Sequence, residues 1–578
     1  MPLEKMSFGQ RMVQLFQQEG VEAIFSQGDL TMRDIQKHAE KAGLKIVGPR
    51  HEAAAVFMAD AYYRMSGVPQ VAIGAMGPGQ ANLLPAVICA AQEHIPVIVL
   101  GSRRQSVIDS GVRRSRFLYA PVFNCFDSIC KFAAKITHPG ELDELVQEAF
   151  RKALTGTPGP VYLEYDFVMH EAEAEFLVPA KRPENYRVTK MPVADEIIRQ
   201  AVSLIQAADC PVILGGTGIH TSLTHDPFER LCRLLACPVF TTIGGSGTLL
   251  ETDNQWLHYF SESGQQVIKE CDLIVALGTS IPETMNYGRQ RHFSAGDDSR
   301  KWILIEQDPG AVGVNHSIDL AIVGKLESAL PQLCQALEDS QTEFKNPKLA
   351  QWRAQYEADR QSSISALDGA ETINPSKLMT EARHAVPDNA ITVVDSGLTV
   401  MQQLAFFEKR SPHFLWTSKY GHLGSGLPYA IGAKLQAGDD KPVCLISGDG
   451  GLGFHFMEFE TAVRHQLPIV IIVNDDEALG AEMQAHMDHI GHTIEVSFSS
   501  TRFDQMAVAM GGHGEYVDKE EDIQPAIRRA FDSGKPAIVQ VKTDPQSAIK
   551  YPVPYVEELM SWLMEDASQS SANSMSIW

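Results

Sequence analysis

"SGDGGLGFHF", residues 447–456, lies between two apolar runs, Pro442–Ile446 and Pro468–Val473. It contains Gly448-x-Gly450-x-x-Gly453, the spacing of a dinucleotide-binding turn, but it also places Asp449 inside that turn. "KPVCLISGDGG" reads as a buried strand ending in a tight glycine turn. "FMEFETAVRHQ" then sets Phe456, Phe459 and Val463 at helical spacing, and "LPIVIIV" returns as a second buried strand. Such a βαβ unit is a parallel crossover whose ligand crevice lies at the carboxyl ends of the strands. Asp449 and the cluster Asn474-Asp475-Asp476 therefore belong at neighbouring strand ends, although they are far apart in the chain.

Two chemistries compete for this loop. A Rossmann turn would use Gly448, Gly450 and Gly453 to approach a pyrophosphate and an acid of the second cluster to hold a ribose hydroxyl. A carboxylate aimed into such a site repels the pyrophosphate unless a divalent cation lies between them. Two carboxylates at adjacent strand tips plus a backbone carbonyl make a hard oxygen site for Mg²⁺, with phosphate oxygens completing the octahedron. The metal-bridged diphosphate is the better account of Asp449.

The rest of the chain sets that unit in context. A length of 578 residues exceeds one core and suggests three or four domains. The net charge of −23 argues against nucleic acid or an anionic membrane as the main partner. The first twenty residues lack an apolar h-region, and no stretch approaches the length of a spanning helix, so a cytoplasmic protein is expected. The nine cysteines are scattered without CxxC spacing and read as reduced core residues, with no structural zinc site.

Short β-type runs alternate with longer amphipathic segments, which favours parallel α/β units. The first block holds runs at Ala23–Phe25, Lys45–Val47, Val71–Ala75, Pro96–Leu100 and Pro160–Leu163, and a polar stretch, 179–195, reads as a linker. The second block contains "CPVILGGTG", "CPVFTTIGG", "DLIVALGTS" and "KWILIEQDP", followed by a charged surface helix and connector within 338–361. The third has runs at Ala390–Val394, Val443–Ile446, Ile469–Val473 and Ala537–Val541. The fold class is α/β, with three open parallel-sheet domains at 1–180, 190–340 and 370–550 and a Ser-rich tail at 551–578. The first and third blocks read as similar folds.

GDGG followed one strand later by NDDE resembles the signature of thiamine diphosphate enzymes, GDG followed by an Asn pair. The resemblance implies Mg²⁺ held by Asp449, Asp476 and the backbone carbonyl of Ala478, with thiamine diphosphate as cofactor. This sequence departs from the family by placing an acid, Asp476, where Asn is usual; a shift of one position would bring in Asp475 instead. The family also needs a glutamate at the cofactor's aminopyrimidine. "VGPRHEAAAVFMADAYYRMSG" (47–67) supplies Glu52 at the start of an apolar helix, partly desolvated as an acid/base relay requires. It resembles the "RHE" helix start of the acetolactate synthase and benzaldehyde lyase branch.

Further matches extend over almost the whole chain. "GPGQANLLPAVICAAQEHIPVIVLGS" (77–102) resembles the family's GPG…N loop, which implies Pro78 and Asn82 at the cofactor. "DSGLT" (395–399) resembles a diphosphate-contacting loop and implies Ser396, Gly397 and Leu398. "GHLGSGLPYAIGA" (421–433) implies Gly421 and Leu423, the latter wedged between the cofactor's two rings. Around the metal, Gly448, Gly450, Gly451, Leu479 and Gly480 complete the set. The domains would then be pyrimidine-binding, central and diphosphate-binding, with the cofactor between the first domain of one subunit and the third of another. Glu52 and Asp449 would meet only across a homodimer or homotetramer interface.

The implied chemistry cleaves or forms a carbon–carbon bond beside a carbonyl, with the cofactor as electron sink. A carboligase decarboxylating a 2-oxo acid such as pyruvate and joining the acyl unit to a carbonyl acceptor is the leading expectation. The alternatives are a 2-hydroxy-ketone or 2-hydroxyacyl-CoA lyase, a non-catalytic cofactor-binding homologue, and a nicotinamide dehydrogenase. In the substrate region, active-site histidines of the benzaldehyde lyase loop fall at Thr31 and Gly28, and its glutamine at Phe117 or Leu118. Leu479, Met483 and His486 line the expected entrance, and His51, His422 and His455 are candidate proton shuttles. Arg103, Arg104, Arg113 and Arg114 offer a carboxylate or CoA contact. FAD is left open, because "GTSIPETMNYG" (278–288) lacks the acidic–Arg pattern expected of its site.

Overall fold

In the computed structural model, strand Val443–Gly448 pairs in parallel with Ile469–Asp475, so that Gly448 lies beside Asn474. The structure describes residues 2–545 apart from 106–107, 109–111, 113, 222, 260, 289–299, 342–343 and 368–371; Arg113 and the tail at 551–578 lie outside it. Around that central pair, six parallel strands lie in the order Phe414–Leu415, Ile391–Val394, Val443–Gly448, Ile469–Asp475, Ala537–Lys542 and His513–Val517. The order reverses between the strands ending at Val394 and Gly448, and that switch point is where an open parallel sheet binds its ligand.

The first block forms the same topology. Its strands lie in the order Lys45–Val47, Ala23–Ser26, Val71–Gly74, Ile98–Arg103, Val161–Asp166 and Phe132–Ile136, all parallel. Numbered along the chain, both sheets read 2-1-3-4-6-5. Between them in sequence lies a five-stranded parallel sheet, Val239–Thr241, Pro211–Gly215, Leu273–Leu277, Lys301–Glu306 and Leu320–Val323. The α/β class and the three parallel sheets expected from the alternation are therefore present.

Several strands escaped the sequence reading: Phe132–Ile136, Leu320–Val323, Phe414–Leu415 and His513–Val517, together with an antiparallel pair, Leu3–Ser7 with Glu173–Leu177. They are edge strands or a two-stranded ribbon; Phe414–Leu415 is buried but only two residues long, and the others are exposed or half-buried along much of their length, so none carries the continuous apolar run of a central parallel strand.

The outer domains share one core. Helix Glu52–Ser66 presents Ala53, Ala54, Ala55, Ala59 and Ala61, and helix Gly426–Ala437 presents Ala430, Gly432 and Ala433, in a single buried cluster. Small side chains let these helices approach closely. A Cβ on Gly432 would lie 2.4 Å from the Met58 carbonyl oxygen. The third domain thus fixes the helix that begins with Glu52.

Candidate functional site

Strand Val443–Gly448 passes straight into helix Asp449–Phe454, so Asp449 opens a helix at the strand tip rather than sitting in a loose turn. A second helix, Glu458–Arg464, follows after His455 and carries Phe459 and Val463, as their helical spacing had suggested. At that junction the His455 Nδ1 donates to the Gly424 carbonyl at 2.9 Å, tying it to the loop before helix Gly426–Ala437. Burial holds this imidazole down at about 4, so it is neutral at physiological pH. The glycines separate the two chemistries considered for the loop. A Cβ on Gly453 would meet nothing within 4 Å, so the third glycine of a Rossmann fingerprint has no packing duty here. A Cβ on Gly450 would crowd Leu479 Cδ2 at 2.9 Å and lie 3.3 Å from the Ala478 carbonyl oxygen.

Asp449 is 6% exposed, and its Oδ1 has no hydrogen-bond partner among the described residues. Burial, and then the adjacent Asp476, push its carboxyl well above the usual carboxylate range; burial raises Asp476 as well. Asp475 turns away, its Oδ2 accepting from Gln540 Nε2 at 2.7 Å, so Asp476 is the acid that faces Asp449. Between Asp476 and Ala478 the chain turns through Glu477 at φ 55°, a left-handed conformation rare for a side chain of this kind. Phe498 N–H secures that turn by donating to the Glu477 carbonyl at 2.6 Å. Two carboxylates and one carbonyl thereby converge beside Gly450 and present the hard oxygen donors that a divalent cation takes.

The loops named beside this pair assemble around Asp395, a residue whose role the sequence did not announce. Its Oδ1 accepts from the N–H groups of Ser396 (2.8 Å) and Gly424 (2.9 Å), and its Oδ2 from Gly426 N–H (3.3 Å). Gly397, at φ 103°, lies against Leu423, and Gly480 against both Leu398 and Asp476. A Cβ on Gly451 would lie 3.2 Å from Asp395 Cγ, and one on Gly448 would lie 3.1 Å from Thr399 Oγ1. Ser396, Leu398, Leu423, Leu479 and the Asp449–Asp476 pair thus lie together at the switch point. Gly421, at φ 63°, is exposed at its margin.

Glu52 lies in the first domain, half-buried at the start of its helix, where Asn82 Nδ2 donates to its Oε2 at 2.9 Å. A Cβ on Gly79 would sit 3.1 Å from Glu52 Oε1, which puts the Gly77–Pro78–Gly79 turn beside the carboxyl. His51 caps the helix, its Nδ1 accepting from Ala53 N–H at 3.1 Å. A buried acid of the third domain, Glu458, accepts from the N–H groups of Arg50 and His51, both at 2.9 Å. Glu458 escaped sequence reading because its partners are backbone groups some four hundred residues away. Within one chain, no hydrogen bond joins Glu52 to Asp449 or Asp476 among the described residues.

The remaining named residues divide between structure and surface. Thr31 is buried and its hydroxyl lies 2.7 Å from Ser102 Oγ, whereas a Cβ on Gly28 would meet nothing. Arg103 sits between Glu164 (3.4 Å) and Asp166 (3.6 Å), which answers its charge internally. Leu118 crosses directly over Gly77, where a Cβ would lie 2.8 Å from its carbonyl carbon; Phe117 beside it is 74% exposed. His422 Nδ1 donates to the Leu423 carbonyl at 2.7 Å, and His486 accepts from Ile494 N–H at 3.2 Å. Helix Gly480–Ile490, which carries Met483 and His486, buries none of its residues. A separate cavity of about 360 Å³ opens in the central domain beside Thr217, Gly218 and Thr279, reaching Glu93 and Lys419.

The comparisons decide the family. Residues 6–115 match "Thiamine pyrophosphate enzyme, N-terminal TPP binding domain", 198–333 the central domain and 395–541 the C-terminal TPP binding domain. This chain belongs to the thiamine pyrophosphate enzymes. It is 27% identical to a probable acetolactate synthase large subunit of Methanococcus aeolicus, over 94% of this chain and 93% of that protein. It is equally 27% identical to 2-hydroxyacyl-CoA lyase 2 of Homo sapiens, over 89% and 86%. A sulfoacetaldehyde acetyltransferase of Alcaligenes xylosoxydans xylosoxydans is 26% identical over 93% of each chain. The protein is therefore a thiamine diphosphate-dependent enzyme of the acetolactate synthase-like group.

Proposed function

We propose that this enzyme decarboxylates a 2-oxo acid such as pyruvate and transfers the acyl unit to a carbonyl acceptor, using thiamine diphosphate and Mg²⁺. The observation that carries the cofactor geometry is the meeting of Asp449 and Asp476 beside the Ala478 carbonyl, with an unpartnered buried oxygen on Asp449. These oxygen donors fit a divalent cation, which would in turn hold the cofactor's diphosphate. Bound thiamine diphosphate supplies an electron sink for the carbon–carbon bond cleaved beside a carbonyl. Glu52 is the carboxyl that would exchange a proton with a bound cofactor's aminopyrimidine, and Asn82 orients it through a 2.9 Å hydrogen bond. Leu423 would give a bound cofactor apolar support, and Ser396, Gly397 and Leu398 would line its diphosphate end. The pairing of Glu52 with an acid pair is what a working enzyme retains, and it weighs against a non-catalytic homologue.

The active unit in this reading is a homodimer or a dimer of dimers, with Glu52 of one chain completing the site of the other. Exposed apolar residues beside both halves support it, including Phe117 near Gly77 and Phe454 at the end of the Asp449 helix. Nine unpaired cysteines suit a reducing cytoplasm, and no described helix is long and apolar enough to cross a membrane. FAD is not included, since residues 278–288 lack the pattern sought for it. Proton NMR of the protein with thiamine diphosphate, Mg²⁺ and pyruvate, with and without an added aldehyde, tests the reaction. Acetolactate, acetoin or a mixed acyloin supports it. Intact pyruvate with cofactor bound moves the assignment to a lyase of a preformed 2-hydroxy-ketone or 2-hydroxyacyl-CoA, the second reading, which the similarity to the human lyase favours.

A further inference from the structure

The acid at position 476 changes what the metal site does before the cofactor arrives. Among the described residues, no Lys, Arg or His lies within ion-pair distance of Asp449 or Asp476, and the acids on either side of Asp476 are engaged elsewhere. Asp475 bonds to Gln540, and Glu477 pairs with Lys542 at 3.0 Å. Asp449 Oδ1 is buried and unpartnered, and the Ala478 carbonyl lies against the next residue, Gly450. With a neutral amide at 476, the protein would offer a divalent cation one negative charge, and the diphosphate would have to supply the rest. With two carboxylates the protein alone balances both charges of the cation, and water can fill the remaining positions.

Resting on the assignment of Asp449, Asp476 and Ala478 as the cation's ligands, we propose that this chain binds its divalent cation first, in the absence of thiamine diphosphate. Asp476 is what makes that possible. With no cationic side chain paired to either acid among the described residues, the metal-free site offers a diphosphate nothing to neutralise it, so the cofactor should enter only a site already loaded with metal.

The test uses the full-length protein stripped of cofactor and metal, with Mn²⁺ as the probe and electron paramagnetic resonance to count free ion. The wild-type chain should bind one Mn²⁺ per subunit without thiamine diphosphate. Asp476→Asn, nearly the same size, should weaken that cofactor-free binding at least tenfold and recover near-normal Mn²⁺ binding once thiamine diphosphate is added. Asp475→Asn should leave Mn²⁺ binding unchanged, since that side chain faces Gln540. Wild-type protein that takes up Mn²⁺ only with thiamine diphosphate present overturns the proposal and leaves the ligand assignment standing. Asp476→Asn that binds Mn²⁺ as well as wild type without cofactor also overturns it. Absence of Mn²⁺ binding in both conditions removes the ligand assignment itself.

Discussion

Asp395 sits at the crossing of the three loops proposed to hold the cofactor, and replacing it should separate stability from cofactor binding. Burial raises its carboxyl from 3.8 to about 6, even though it accepts three backbone N–H groups. A value higher in the folded than in the unfolded chain favours folding fully below 3.8, and that contribution is lost as the pH rises through about 6. The difference corresponds to about 3 kcal/mol. Asparagine at 395 keeps an acceptor near Oδ1 but cannot ionise, so it escapes the loss. Between about pH 4 and pH 7.5, wild type should therefore lose about 2–3 kcal/mol relative to Asp395→Asn. The assay is urea unfolding of both proteins, free of cofactor, across that range. Cofactor binding should move the other way. The amide turns an N–H toward the Gly426 N–H, and the bonds to Ser396 and Gly424 lose their charge, about 1 kcal/mol each. Loosening Ser396–Leu398 and Leu423 should weaken thiamine diphosphate retention at least tenfold. Parallel stability curves for the two proteins, or unchanged cofactor affinity, would refute this account of Asp395.

Three further substitutions probe other links. Glu52→Gln should leave thiamine diphosphate binding largely intact but slow exchange of the cofactor's C2 proton about 10²–10⁴-fold by NMR, the usual contribution of a positioned acid/base; normal exchange removes Glu52 from that role. Leu423→Ala should slow turnover more than it weakens cofactor binding; an effect confined to the unfolding midpoint would make Leu423 a packing residue only. Gly432→Ala would drive a Cβ into the Met58 backbone at 2.4 Å, so about 1–3 kcal/mol of stability should be lost despite alanine's better helix propensity. An unchanged unfolding midpoint would mean that the Glu52 and Gly426 helices are free to separate.

The meeting of Asp449 with the 474–476 cluster was legible because of parallel-sheet physics. Buried strands appear as unbroken apolar runs, and glycines and acids clustered at their ends mark the ligand crevice. Asp449 and the 474–476 cluster could therefore be placed side by side across a long sequence gap. Choosing between Asp475 and Asp476 needed Gln540, whose side chain turns Asp475 away. Asp395 and Glu458 were hidden for a related reason: they bind main-chain N–H groups of distant loops, and main chain carries no signature in the sequence. Edge strands such as His513–Val517 were missed because half-exposed strands need no apolar run. Helix Asp449–Phe454 was missed because its glycines disguise a helix start as a turn.

The claim that Glu52 and Asp449 serve one cofactor from two different chains is tested most directly by subunit complementation. Glu52→Gln and Asp449→Ala proteins, each inactive alone, would be dissociated, mixed in equal amounts and reassembled. Random pairing makes about half of the dimers hybrid, each with one intact and one doubly damaged site, so about one quarter of the wild-type rate should return. If both residues served a site within their own chain, the mixed and reassembled protein would stay as inactive as its parents.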